Sequence, residues 1–128
     1  MDQLFKELSL ESYKWEDNHY RGVIMVHPTK KSTVINHLLN VYKASKESNH
    51  SVVTKKGANI QIVTLHERFL INYENTTILL DRTCFGYWDF YNMLFHPVDN
   101  DVNQDSFIIE ISKRLRSQST YNSKMIII

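Results

Sequence analysis

The stretch "RGVIMVHPTKKSTVINHLL", residues 21–39, decides how the fold is read. Its first seven residues form a compact β-branched apolar run, the length of a buried strand. Pro28 ends that run, because its ring removes a backbone donor and biases the preceding residue away from helix. Thr29 or Ser32 then offers a helix cap. Beyond it Val34, Ile35, Leu38, Val41 and Tyr42 share one face, with Asn36, Asn40, Lys43 and Glu47 opposite. That spacing predicts an amphipathic helix near 32–47.

Downstream, "SVVTKKGANIQIVTL" reads as a hairpin with strands near 51–55 and 58–65. Gly57 can supply the positive φ that its Lys55-Lys56-Gly57 turn requires. "RFLINY" and "TILLD" predict strands near 68–73 and 77–81, close enough to pair as a meander. Apolar residues nearly all round predict a helix near 86–95, and "SFIIEISKRLRSQ" predicts another near 106–117, with basic residues where the helix dipole favours them. A strand and helix, then a run of strands, then helices, point to a single α+β domain over 1–128 with a mostly antiparallel sheet.

The chain has 128 residues, 42% hydrophobic and 23% charged, which is an ordinary globular composition for one core. A single cysteine, Cys84, rules out an internal disulfide and fits a reducing compartment. The opening "MDQLFKELSLESYKWED" has neither a basic start nor a signal-length apolar run. No stretch reaches the ~18–20 apolar residues that would cross a bilayer. A cytoplasmic protein with no membrane contact is the expectation. Abundant Ile, Asn, Lys and Tyr beside only three glycines suggest an AT-rich genome, such as those of many phages and viruses.

The strand–loop–helix at 21–39 raises phosphate binding, which needs glycines so that backbone amides can wrap the phosphates. The loop has none, and Met25 and Lys30 stand where they would be. A nucleotide-binding fold that has lost its activity is one reading of this pattern. Cys84 lies beside an apolar segment and reads as a buried thiol. The six histidines lack metal-ligand spacing. No nucleophile elbow, carboxylate pair or dinucleotide fingerprint is present, so neither catalysis nor a cofactor is expected.

From Asp99, "DNDVNQDSFIIE" resembles an EF-hand calcium loop over twelve residues. Asp99, Asp101, Asn103 and Glu110 occupy positions one, three, five and twelve, which the resemblance implies would be oxygen ligands. Gln104 stands at the glycine position and Ser106 at the aliphatic one, and no second loop follows. The same residues serve as turn and cap for the final helix.

The remaining signals concern partners. Residues 21–56 carry seven basic groups against Glu47 alone, whereas 57–112 carry two arginines against eight acids. Lys30, Lys31, Lys43, Lys46, Lys55 and Lys56 are therefore candidate contacts to nucleic-acid phosphates. Trp88, Tyr91 and Phe95, in the aromatic stretch 87–95, are of the types that dominate protein interfaces. The apolar tail Met125, Ile126, Ile127 and Ile128 can add a strand to its own sheet or to a partner's. The leading expectation is a non-catalytic protein that binds another protein or a larger assembly, as an accessory subunit or inhibitor. Nucleic-acid binding is the alternative, and self-association is allowed.

Overall fold

The computed structural model describes residues 2–71, 76–84, 108–113 and 124–128. The described elements are α1 (Asp2–Glu11), a 3-10 turn at Ser12–Glu16, β1 (Arg21–Met25), α2 (Pro28–Val41), β2 (Ser45–Ser48), β3 (Ser51–Val53), β4 (Asn59–Val63), a 3-10 helix at Leu65–Leu70, β5 (Thr76–Leu80) and β6 (Lys124–Ile127). Residues 108–113 are also helical. Six strands form one mixed sheet in the order β2-β3-β4-β1-β5-β6. Helices on a mixed sheet make this an α+β fold, as the sequence suggests.

The sheet is antiparallel only in part. β2, β3 and β4 pair antiparallel, but β1 pairs parallel with both β4 and β5, and β5 pairs parallel with β6. β1 and β5 are interior strands, and both of their faces are covered. Val23 to Met25 and all of β5 are buried, and strands buried on both sides are what parallel pairing favours.

One face carries α1, the Ser12–Glu16 turn and α2. Leu4, Leu8, Trp15, Val34, Ile35 and Leu38 pack there on Ile24, Ile60, Ile62 and Leu79. The other face buries Val23, Met25, Val63, Ile78 and Leu80 against Leu65, Ile71, Cys84 and Ile111. Alternate residues of β1 therefore serve different cores, which the two-residue strand period requires.

Several boundaries move, each for a local reason. α2 begins at Pro28, earlier than 32, because proline's fixed φ suits the first helical position and His27 caps the end. Neither Thr29 nor Ser32 is the cap. The helix stops at Val41 because Lys43 adopts φ 55° and the Ala44 amide turns back to the Leu38 carbonyl. Residues 45–47, expected within that helix, belong to strand β2 (Ser45–Ser48). The expected hairpin forms with shorter strands, Ser51–Val53 and Asn59–Val63, and Gly57 at φ 95°; Leu65 belongs to the following 3-10 helix.

The strand expected near 68–73 is replaced over Leu65–Leu70 by the 3-10 helix, whose Thr64 amide donates to the Glu67 carboxylate. Among the described residues no strand pairs with β5 as that meander would require; β5 lies between β1 and β6. Residues 72–75 and the helix expected at 86–95 lie outside the described residues. The tail pairs with its own sheet, in register from Thr77↔Lys124 to Leu80↔Ile127.

Candidate functional site

Parallel alignment brings the carboxyl ends of β4, β1, β5 and β6 to one edge, with Val63, Met25, Leu80 and Ile127 in register. The segment leaving β1 becomes α2, which packs over β2, β3 and β4. On the other side of β5 lies β6. The boundary between β1 and β5 is thus where the sheet's connections diverge, the position at which open α/β sheets place ligands.

Lys30, in the first turn of α2, reaches across this boundary. Its Nζ stands 3.3 Å from Asp81 Oδ2 and donates to Thr83 Oγ1 at 2.9 Å. Asp81 Oδ1 accepts from the Thr83 amide at 3.0 Å and from the Thr83 hydroxyl at 2.8 Å. Burial pushes the Asp81 carboxyl up, but the two Thr83 donors and Lys30 outweigh it and hold the group below its ordinary value. Asp81 is therefore a buried carboxylate with its acceptors engaged.

Lys31 makes the neighbouring connection. Its ammonium forks onto Glu67, 2.9 Å from Oε1 and 2.8 Å from Oε2. His50 Nδ1 lies 2.6 Å from Lys31 Nζ and 2.8 Å from Glu67 Oε2. Burial raises the Glu67 carboxyl, while Lys31, the Thr64 amide and His50 together bring it below the usual range. Two consecutive lysines thus tie α2 to the ends of β5 and β4 and to the β2–β3 turn.

The amide donors at the start of α2 are engaged as well. Pro28 has no N–H, the Thr29 amide donates to His27 Nδ1 at 3.2 Å, and the Lys30 amide donates to the His27 carbonyl at 2.9 Å. A phosphate cradle needs such donors pointing outward. Here they are spent within the chain, as the glycine-free loop implied. Cys84, buried beside Asp81, has its thiol pushed up to about 12 by burial and by that carboxylate. A thiol so far from ionising is not a nucleophile at neutral pH. No group of three or more metal-ligating side chains occurs among the described residues.

The lysines expected to contact nucleic acid separate into two sets. Lys30 and Lys31 form ion pairs at the carboxyl edge. Lys43, Lys55 and Lys56 are exposed at the opposite end of the sheet, where β2 and β4 begin, and Lys46 is exposed on edge strand β2. Met125 to Ile128 are half-buried beside β5. Trp88, Tyr91 and Phe95 lie outside the described residues, as do Asp99, Asp101 and Asn103. Glu110 is exposed on the helical segment 108–113. Lys30 stood out in the sequence as a candidate phosphate contact; its partner Thr83 did not, and neither did Glu67, which fell between the strands expected at 58–65 and 68–73.

Large apolar side chains are exposed at Leu10, Tyr13, Val41 and Ile109. Leu10 and Tyr13 are 61% and 71% exposed and three residues apart on a continuous helical run, so they share a face. No described helix is long and apolar enough to cross a membrane. No protein-family model, curated protein or solved structure significantly matches the chain.

Proposed function

We propose that this chain is a small non-catalytic protein that acts through contact with another protein. The observation that carries the reading is the closed carboxyl edge. Lys30 is held by Asp81 and Thr83, Lys31 by Glu67, and the α2 amides by His27. The position where a parallel sheet would bind and turn over a ligand is thus satisfied internally. Such an arrangement suits a nucleotide-binding architecture without activity, retained as a scaffold.

The surface that remains for work is peripheral. Leu10 and Tyr13 expose apolar and aromatic area together, the chemistry that favours protein partners. Trp88, Tyr91 and Phe95 are proposed to add to it, and the outer edge of β6 offers a strand for augmentation. An accessory subunit or inhibitor of the kind phages and viruses encode, working in the cytoplasm, fits this combination. The test is affinity capture from the native host with nuclease treatment, comparing the unaltered chain with Leu10→Asp/Tyr13→Glu. A stoichiometric protein partner that resists nuclease and is lost with the double substitution supports the reading. Turnover of a small molecule by the isolated chain would overturn it.

Nucleic-acid binding remains a second reading, favoured by one observation. Lys43, Lys46, Lys55 and Lys56 are exposed and make no ion pair among the described residues. It requires binding to DNA or RNA that falls steeply with salt and weakens in Lys55→Ala/Lys56→Ala. A blank gel shift at low salt removes it.

A further inference from the structure

His50 lies in the short turn between β2 and β3, and its backbone is held on both sides. Its carbonyl accepts from the Ile62 amide at 2.7 Å, and its amide donates to Ser48 Oγ at 3.1 Å. Ser48 Oγ in turn lies 2.9 Å from Ser51 Oγ. The turn is thereby fixed to β4, and the ring meets α2 and the 3-10 helix. Among the described residues, the charged groups against it are Lys31 from α2 and Glu67 from the 3-10 helix, 2.6 Å and 2.8 Å from Nδ1.

One nitrogen cannot serve both neighbours. The Lys31 contact needs a lone pair on Nδ1, because an ammonium only donates. The Glu67 contact needs a proton there, because a carboxylate only accepts. Lys31 decides which contact a neutral ring takes. Its side chain is 17% exposed, so its three protons draw their acceptors from the protein. Glu67 Oε1 and Oε2 take two of them, at 2.9 Å and 2.8 Å, and Nδ1 is the third acceptor. Glu67 has donors without His50, since Oε1 also accepts from the Thr64 amide at 3.0 Å. The approach of Nδ1 to Oε2 is then the one contact left without a proton, and it is where a proton arriving on Nδ1 would point. Such a proton would also face the Lys31 ammonium, which must withdraw.

We propose that His50 is a proton-operated latch that transfers the β2–β3 turn from Lys31 of α2 to Glu67 of the 3-10 helix when the ring becomes charged. In the neutral state one lysine joins α2, the edge hairpin and the 3-10 helix. Charging the ring sets two cations on one carboxylate. Lys31 then leaves the hairpin and keeps only Glu67, while His50 gains Oε2. The proton comes from solvent, to which the 36% exposed His50 side chain is open. Lys30 takes no part, being held by Asp81 and Thr83. The exchange does not depend on what the chain binds.

The test uses the full chain and begins with the His50 ring nitrogens, whose NMR signals report where the proton sits. At about pH 8 the neutral ring should carry its proton on Nε2, leaving Nδ1 for Lys31, and the ring should charge before about pH 5. A neutral ring protonated at Nδ1, or one still neutral at that lower limit, would overturn the proposal. Double-mutant cycles in urea unfolding then follow the two couplings, using His50→Ala, Lys31→Met and Glu67→Gln. They are measured at about pH 8 and again where the NMR signals show the ring charged. Each cycle cancels the titration of His50 in the unfolded chain. The His50–Lys31 coupling should lower the unfolding constant by about threefold at the higher pH, as for a partly exposed polar pair, and vanish or turn unfavourable at the lower. The His50–Glu67 coupling should instead grow on acidification. Glu67 stays ionised throughout, because its carboxyl titrates below its ordinary 4.5. Circular dichroism confirms that each variant is folded. Couplings that are the same at both pH values, or a His50–Lys31 coupling that strengthens in acid, would also overturn the proposal.

Discussion

Lys30 Nζ and Asp81 Oδ2 lie 3.3 Å apart across the boundary between β1 and β5, joining a helix start to a strand end that are 51 residues distant in sequence. The Asp81 side chain is only 9% exposed and that of Lys30 22%. Removing one partner leaves the other charge in a poorly hydrated place, which costs more than the intact pair contributes. Asp81→Asn and Lys30→Met should each destabilise the chain by about 2–4 kcal/mol in urea unfolding. The double variant should cost clearly less than the two combined, with the difference reporting the coupling. Additive losses would mean that the pair is not energetically linked.

Acid should expose the same lock. Asp81 and Glu67 both titrate below their ordinary values of 3.8 and 4.5 in the folded chain. The unfolded chain therefore binds protons first as pH falls. The stability these groups contribute is complete above about pH 4.5 and is lost as pH drops through the lowered folded values. Unfolding midpoints measured from pH 6 downward should show this decline, and Asp81→Asn with Glu67→Gln should flatten it. An unchanged acid slope in that variant would place the effect elsewhere.

A second pH effect has a different origin. His37 stacks on Phe5 with ring centroids 4.0 Å apart and meets Tyr42 edge-on at 5.6 Å. Burial among these rings lowers its titration below the ordinary 6.5. Folding thus prefers the neutral ring, and this contribution is complete above pH 6.5 and is lost as pH falls through the lowered folded value. Thermal melts between pH 7.5 and 5 should fall more steeply in the unaltered chain than in His37→Phe, which keeps the stack and removes the proton. Parallel curves would contradict the assignment.

Cys84 should resist chemistry while the fold holds. Its thiol is 1% exposed and ionises only at about 12. Labelling by a thiol reagent at pH 8 should follow the unfolding equilibrium, accelerating in step with urea and not with pH alone. Rapid labelling of the native chain would show a reactive site that this account denies.

Much of this fold was legible in the sequence, and the errors share a cause. "VIMV" and "TILL" are unbroken apolar runs, the mark of strands covered on both faces, and they read correctly as strands. Their pairing was misjudged because adjacent strands in sequence were presumed to be neighbours in the sheet. "RFLINY" has strand composition, yet its first residues close a 3-10 helix that Glu67 caps through Thr64. "SKES" continues the polar face of α2 by spacing alone, and only the left-handed turn at Lys43 reassigns it to β2. Side-chain partners were the least visible part. Nothing local in "HPTKKS" announces that its lysines will meet Asp81 and Glu67, because that meeting depends on the strand order.

The most direct test of the closed edge is nucleotide titration. Calorimetry of the full chain with ATP and magnesium ion should give no saturable heat, and Lys30→Met should give the same flat trace as the unaltered chain. Saturable binding that Lys30→Met abolishes would contradict the account, since it would show that Lys30 leaves Asp81 for a phosphate and that the edge is a working site.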